Sequence, residues 1–170
     1  QNKPTNVIAE LVSNSWDALA ETVEIDLVAK QGSPIGILVA DDGTGMSSDE
    51  IINNWLVIAK TKKGSRSKIE NSSRKPMGRK GIGKLAPFGV AKQVELITLK
   101  NGKLNWLSLD YRHLTEQTSQ EKPYEVYKPK VHFDDTVNFT IDQTKEILAN
   151  FSDQELRSKI TTRLSNLIKY

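Results

Sequence analysis

Val7, Ile8, Leu11, Val12 and Leu19 recur at helical spacing, and Pro4 suits a first turn, so the pattern predicts an amphipathic helix over about residues 4 to 20. Val23, Ile25 and Leu27 then alternate with Glu24 and Asp26. Ile35 to Ala40 follow as an apolar run closed by Asp41-Asp42-Gly43-Thr44-Gly45, and the two stretches read as strands joined by a Gly/Ser/Pro turn. Ser47 with Glu50 three residues on has the form of a capping box, and Ile51, Ile52, Trp55 and Leu56 extend a second helix over about 48 to 59. Beyond a polar loop comes a short helix interrupted by Pro87. Val94 to Leu99 and Leu104 to Leu109 then flank Asn101-Gly102, a hairpin signal. Residues 124 to 133 and 136 to 141 are two more strand candidates, and the chain from about 143 to Tyr170 is helical in composition.

Helices cluster early and antiparallel strands late. That order predicts an α+β fold, a two-layer sandwich with helices on one face of a mixed, mainly antiparallel sheet. The expected organisation is a domain over residues 1–142 and a helical segment over 143–170, which either packs on that domain or leads into a further one. With 170 residues and 37% hydrophobic content, the chain suits one core, not two large domains. The absence of cysteine excludes a disulfide framework and any thiolate chemistry, and no stretch approaches the roughly 18 apolar residues of a membrane span. Gln1 stands where a start would place Met, with no charged-then-apolar leader after it, so the expectation is a domain excised from a larger protein. A reducing compartment fits: the cytoplasm, or the nucleus for a eukaryotic source.

Charge changes this picture in one place. Lys60 to Lys84 holds ten basic residues and one acid, Glu70, a local balance of +9 that leaves −6 for the rest of a chain whose net charge is +3. A concentrated positive field on a polar loop suits phosphates, either of a small ligand or of a nucleic acid; the plainer reading is a solvated loop.

Four segments are candidates for chemistry. Glu10, Asn14 and Asp17 stand at i, i+4 and i+7 and share a polar stripe, where a carboxamide oxygen can ligate Mg²⁺ and a carboxylate can orient or deprotonate water. Most amphipathic helices expose such a stripe to solvent without using it. Asp41-Asp42-Gly43-Thr44-Gly45-Met46 follows an apolar strand, so its carboxylate can accept from an exocyclic amine while its glycines admit a flat ligand; an ordinary acidic turn reads the same. The loop lacks the alternating oxygens and closing Glu of an EF-hand.

Gly78-Arg79-Lys80-Gly81-Ile82-Gly83-Lys84-Leu85 matches G-x-x-x-x-G-K, but Leu85 stands where a P-loop needs Ser or Thr and no buried strand precedes it. The dinucleotide pattern fails for the same want of a strand. Successive glycine amides leading into a helix still form an anion nest, with Arg79, Lys80 and Lys84 adding charge. Thr136, at a strand start, offers a hydroxyl and little else.

Taken in order, Glu10-Leu11-Val12-Ser13-Asn14-Ser15-Trp16-Asp17-Ala18, Asp41-Asp42-Gly43-Thr44-Gly45-Met46 and Gly78-x-x-Gly81-x-Gly83 resemble the ATP-binding domain of the GHKL superfamily, the Bergerat fold of gyrase B, ninety-kilodalton heat-shock chaperones, histidine kinases and MutL. The resemblance runs from about Thr5 to Ala91, with Thr136 matching a fourth motif. It implies ATP and Mg²⁺ as cofactors, Asn14 as the metal ligand, Glu10 as the base that activates water, and Asp41 as the carboxylate that reads adenine. Gly45 would border the base, Met46 would belong to the nucleotide set, and Gly78, Gly81 and Gly83 would form the phosphate loop. Asp17, Thr61, Lys62, Arg79, Lys80, Ile82, Lys84 and Thr136 complete the implied nucleotide set, and residues about 60 to 84 would be a lid. Catalysis would be mainly positioning and charge stabilisation.

Within the superfamily, histidine kinases are disfavoured, because their helix motif lacks this Glu–Asn pairing and neither His113 nor His132 sits in a phosphoacceptor helix. The stretches Asn14 to Ala18 and Ala59 to Lys62 look closest to chaperone-like and microrchidia-like members. Asp42 departs from the frequent Asn, adding a negative charge near the adenine site. A following domain, which in many relatives supplies a cation to the γ-phosphate, is missing, so weak turnover is expected. The implied partners are ATP or ADP, that downstream domain, a second copy in a homodimer, and nucleic acid through the larger protein; no membrane is implied. Two alternatives stand: a non-catalytic nucleic-acid-binding domain that uses the basic segment, and a nucleotide-gated switch with negligible turnover.

Overall fold

The computed structural model describes residues 4–56, 72–77, 83–110 and 129–168. Helix α1 spans Pro4–Asp17. It stops short of residue 20 because Leu19 turns left-handed (φ 65°), while the amides of Leu19 and Ala20 reach back to the carbonyls of Trp16 and Ser15, closing the helix in a Schellman motif. Strands β1 (Val23–Lys30) and β2 (Ser33–Asp41) form an antiparallel hairpin, with Val23 opposite Asp41. The Ser47–Glu50 capping box is present and opens α2 (Ser48–Glu50), which runs directly into a π-helical turn over Ile51–Trp55.

A 3-10 helix (Gly83–Gly89) contains Pro87. Strands β3 (Gln93–Lys100) and β4 (Lys103–Asp110) pair through a turn in which Asn101 and Gly102 both have positive φ (51° and 73°), the backbone a two-residue hairpin needs. Strand β5 (Lys130–Thr136) lies on the other side of β4. Helices α3 (Ile141–Leu148) and α4 (Gln154–Ile168) follow.

The class is α+β, with a two-stranded and a three-stranded sheet, and every described strand pair is antiparallel. One expectation fails. The alternation over 136–141 predicts a strand, but β5 ends at Thr136, Asn138 adopts a left-handed backbone (φ 56°), and Thr140 instead caps α3 in a capping box with Gln143. Of the other candidate, 124–133, residues 124–128 lie outside the described residues.

Strand β4 is buried almost continuously from Leu104 to Leu109, as a strand covered on both faces must be. Leu107 and Leu109 meet Ile51, Trp55 and Phe88 on one face. On the other, Leu104 and Trp106 join Phe133 and the α3–α4 residues Leu148, Ile160 and Leu164. The segment after residue 142 is therefore core-forming. Helix α4 also spans to the two-stranded sheet, where Leu156 lies over Gly36, Lys159 bonds Asp26 (3.2 Å), and Arg163 pairs with both Glu24 and Asp26.

Candidate functional site

Asp41 ends β2 with both carboxylate oxygens engaged. The Ser15 hydroxyl of α1 donates to Oδ2 (2.7 Å), and the Gly43 amide donates to Oδ1 (3.0 Å). Ser15 is 2% exposed and lies on the buried side of α1, so this bond locks the helix to the strand end from within the core. Each carboxylate oxygen has a further lone pair, and Asp41 itself is exposed, so its edge can accept from an amine donor in solvent.

Asp42 turns the other way. Its Oδ1 accepts from the amides of Glu21 (2.8 Å) and Thr22 (2.9 Å), closing the α1–β1 connection, and those backbone donors, Thr22 first, hold its carboxyl below the usual range. The extra charge that distinguishes this loop is thus spent on the chain's own backbone.

Gly45 is left-handed (φ 64°) and lies so close to β3 that a Cβ on it would fall 2.0 Å from the Leu99 carbonyl oxygen. No side chain fits there. Met46 follows, its amide donating to Thr98 Oγ1 (2.9 Å) and its carbonyl accepting from Asn105 Nδ2 (3.2 Å). Four residues on, Glu50 closes the capping box on Ser47 and pairs with Lys100, whose ammonium first, and the Ser47 amide second, lower its carboxyl.

On α1, Glu10 is exposed and Asn14 half-buried, and among the described residues no hydrogen bond engages either side chain. Asp17, third on the stripe, is committed elsewhere: its Oδ1 accepts from the Met77 amide (2.7 Å). Three neighbouring contacts reinforce this. Trp16 Nε1 donates to the Lys75 carbonyl (3.1 Å), the Arg74 guanidinium lies 4.5 Å over the Trp16 ring, and Arg74 donates to the Ala20 carbonyl (2.7 Å). Residues 72–77 are therefore clipped across the C-terminal end of α1 immediately before Gly78.

Thr61, Lys62, Gly78, Arg79, Lys80, Gly81 and Ile82 lie outside the described residues, while Gly83 and Lys84 open the 3-10 helix. Thr136 exchanges hydrogen bonds with the backbone of Asp134 and stands opposite Leu104 at the end of β5. The hydroxyl that reaches the Gly45–Met46 loop is that of Thr98. Ser15, Thr98 and Asn105 escaped the sequence reading; for Asn105 the signal was an amide inside an otherwise apolar run.

Two antiparallel sheets, a helix with a Glu–Asn–Asp stripe, and a strand-end Asp beside a glycine packed on backbone are the setting of an ATPase domain. Over residues 2–143 the sequence matches the family described as histidine kinase-, DNA gyrase B-, and HSP90-like ATPase, and the chain belongs to that family. Over 92% of its length it is 27% identical to a protein of Herpetosiphon aurantiacus named "Putative type II restriction enzyme HgiDII", covering 25% of that protein. It is 29% identical over 86% of its length to chaperone protein HtpG of Hydrogenovibrio crunogenus, covering 27% of it. DNA mismatch repair protein MutL of Aeromonas hydrophila shares 44% identity over 50 residues, 29% of this chain and 8% of MutL. The chain thus spans about a quarter of the length of the first two. ATP binding and hydrolysis are the general activity of such domains.

Proposed function

We propose that this chain is the Mg²⁺-dependent ATP-binding and ATP-hydrolysing module of a larger protein, in which nucleotide state drives closure of the 60–84 segment and pairing of two copies. The observation that carries the reading is Asp41: an exposed carboxylate oriented through both oxygens by Ser15 and Gly43, next to a loop pressed against β3 at Gly45. Such an acceptor suits the exocyclic amine of adenine.

The donor set fits the metal. Mg²⁺ at a nucleotide keeps most of its ligands as water and phosphate and needs one or two protein oxygens. Asn14 offers a neutral hard oxygen that no described residue occupies, one helical turn from Glu10. When bound, the ion neutralises phosphate charge. Glu10 would accept the proton of the attacking water, Asn14 would hold the ion, and the glycine amides around Gly78 to Gly83 would receive the phosphates.

Calorimetric titration of ATP and ADP with Mg²⁺ into wild type and Asp41→Asn tests this. Binding in wild type that is lost in the variant supports the site, and equal binding in both refutes it. Glu10→Ala should keep binding and abolish turnover. Affinity for nucleic acid that falls steeply with salt and survives Asp41→Asn would favour a role for the basic segment in its place.

A further inference from the structure

Met46 is a loop residue held the way a strand residue is held, except that side chains replace the backbone ladder. Its amide is received by Thr98 Oγ1 and its carbonyl by Asn105 Nδ2. Thr98 and Asn105 are themselves partners across β3 and β4, both buried and on the sheet face that carries Leu107 and Leu109. A threonine and an asparagine facing each other on that apolar face are costly unless satisfied, and the loop satisfies them.

The support runs one layer deeper. Between Leu104↔Thr136 and Trp106↔Phe133 the β4–β5 register slips, setting Asn105 alone against Asp134 and Asp135. At this bulge Asp135 takes a left-handed backbone (φ 42°). Its amide donates to Asn105 Oδ1 (2.7 Å), while its Oδ1 accepts from Asn105 Nδ2 (2.9 Å) and from the Ser48 amide (3.1 Å). These bonds hold its carboxyl below the usual range, Asn105 first and Ser48 second. Asn105 therefore uses its oxygen and both amide hydrogens, and the 45–48 loop is pinned at Met46 N, Met46 O and Ser48 N.

We propose that Thr98, Asn105 and Asp135 are positioning residues for base recognition: they fix the loop after Asp41 at the height that makes the site select adenine over guanine. The inference rests on the nucleotide reading above. A loop free to shift by an ångström would still leave Asp41 as an acceptor but would no longer exclude a base of different edge chemistry.

The test measures ATP and GTP affinity of the 170-residue chain, below the thermal midpoint of every variant. Thr98→Val removes the acceptor for Met46 N without changing shape. It is expected to weaken ATP about tenfold and to narrow the ATP-to-GTP ratio, while Thr98→Ser, which keeps the hydroxyl, stays within about twofold of wild type.

Asn105→Asp sets two carboxylates together and should lower both midpoint and affinity. Adding Asp135→Asn restores an amide–carboxylate pair but gives nothing back to the Met46 carbonyl, so the midpoint should recover and the ATP preference should not. Recovery of both together, or a wild-type ratio in Thr98→Val, overturns the proposal. Should Thr98→Val fail to fold, the Asn105/Asp135 exchange decides alone. Asp41→Asn is the control: if it leaves ATP affinity unchanged, the nucleotide reading itself fails, whereas its loss beside wild-type-like positioning variants removes this inference only.

Discussion

Ser15 on α1 and Asp41 at the end of β2 are joined by a 2.7 Å hydrogen bond across 26 residues of sequence. The same hydroxyl oxygen lies 3.1 Å from the Leu11 carbonyl one helical turn back, so its single proton is shared between a helix carbonyl and the Asp41 carboxylate, with the shorter contact to Asp41. The bond links the helix that carries Glu10 and Asn14 to the carboxylate proposed to read the base. Ser15→Ala should therefore raise the Kd for ATP by about three- to tenfold, since a hydrogen bond to a charged group is worth roughly 1.5–3 kcal/mol before the discount for Asp41's exposure. Calorimetry on wild type and variant measures it; an unchanged Kd would show that Gly43 alone orients Asp41.

Gly45 and Gly32 are both left-handed glycines, with φ of 64° and 78°, yet they should tolerate alanine very differently. A Cβ at Gly32 meets nothing within 4 Å, so Gly32→Ala should cost only the backbone preference, about 1 kcal/mol. At Gly45 the Cβ would strike the Leu99 carbonyl, so Gly45→Ala must displace the loop from β3 and should cost several-fold more in denaturant unfolding, along with nucleotide binding.

The clip across the end of α1 predicts a hydrogen-exchange result. Asp17→Ala should speed exchange of the Met77 amide while leaving amides in β3 and β4 protected, because it removes that amide's acceptor at the end of α1. Trp16→Ala should loosen Arg74 and Lys75 together, and Trp16→Phe should keep the stack while losing the indole donor. Uniform faster exchange in Asp17→Ala would mean global destabilisation instead.

Stability should fall with acid in two stages. Burial holds the His132 imidazole below its ordinary value against the raising effect of Glu95, so the unfolded chain takes up that proton first and stability declines as pH drops below about 6.5. The carboxyls of Asp26, Asp42, Glu50 and Asp135 are all held low, so their stabilisation is full above about pH 4.5 and is lost as pH falls through their lowered values. Thermal midpoints from pH 8 to 3 should show both stages, and His132→Gln should flatten the first.

The C-terminal helices should prove indispensable. Leu164 is 1% exposed and packs with Leu104, Trp106 and Phe133, so Leu164→Ala should destabilise by about 2–5 kcal/mol. A chain ending at residue 142 would expose one whole face of β4 and should aggregate or lose its cooperative transition.

Several elements were legible because their causes are local. The Asn101-Gly102 hairpin and the Ser47–Glu50 capping box each depend on residues within a few positions. The misread stretch 136–141 shows the limit of period-two alternation. Thr140 and Gln143 carried a capping signal that outweighed it once Asn138 turned left-handed. The π-helical turn at Ile51–Trp55 has no sequence counterpart, since α and π spacing differ by one residue and packing selects between them.

By itself the sequence determined most of the element types, the positions of Glu10, Asn14 and Asp41 along them, and the resemblance of their order to one ATPase superfamily. Tertiary structure decided the partners: Ser15 for Asp41, the Glu21–Thr22 backbone for Asp42, Met77 for Asp17, and Thr98 with Asn105 for Met46. The reason is range. Helical periodicity, caps and turns are set by neighbours within about four residues, whereas these bonds close loops of 20 to 60 residues and exist only because docking of helix, hairpin and sheet brings their donors and acceptors within 3.2 Å.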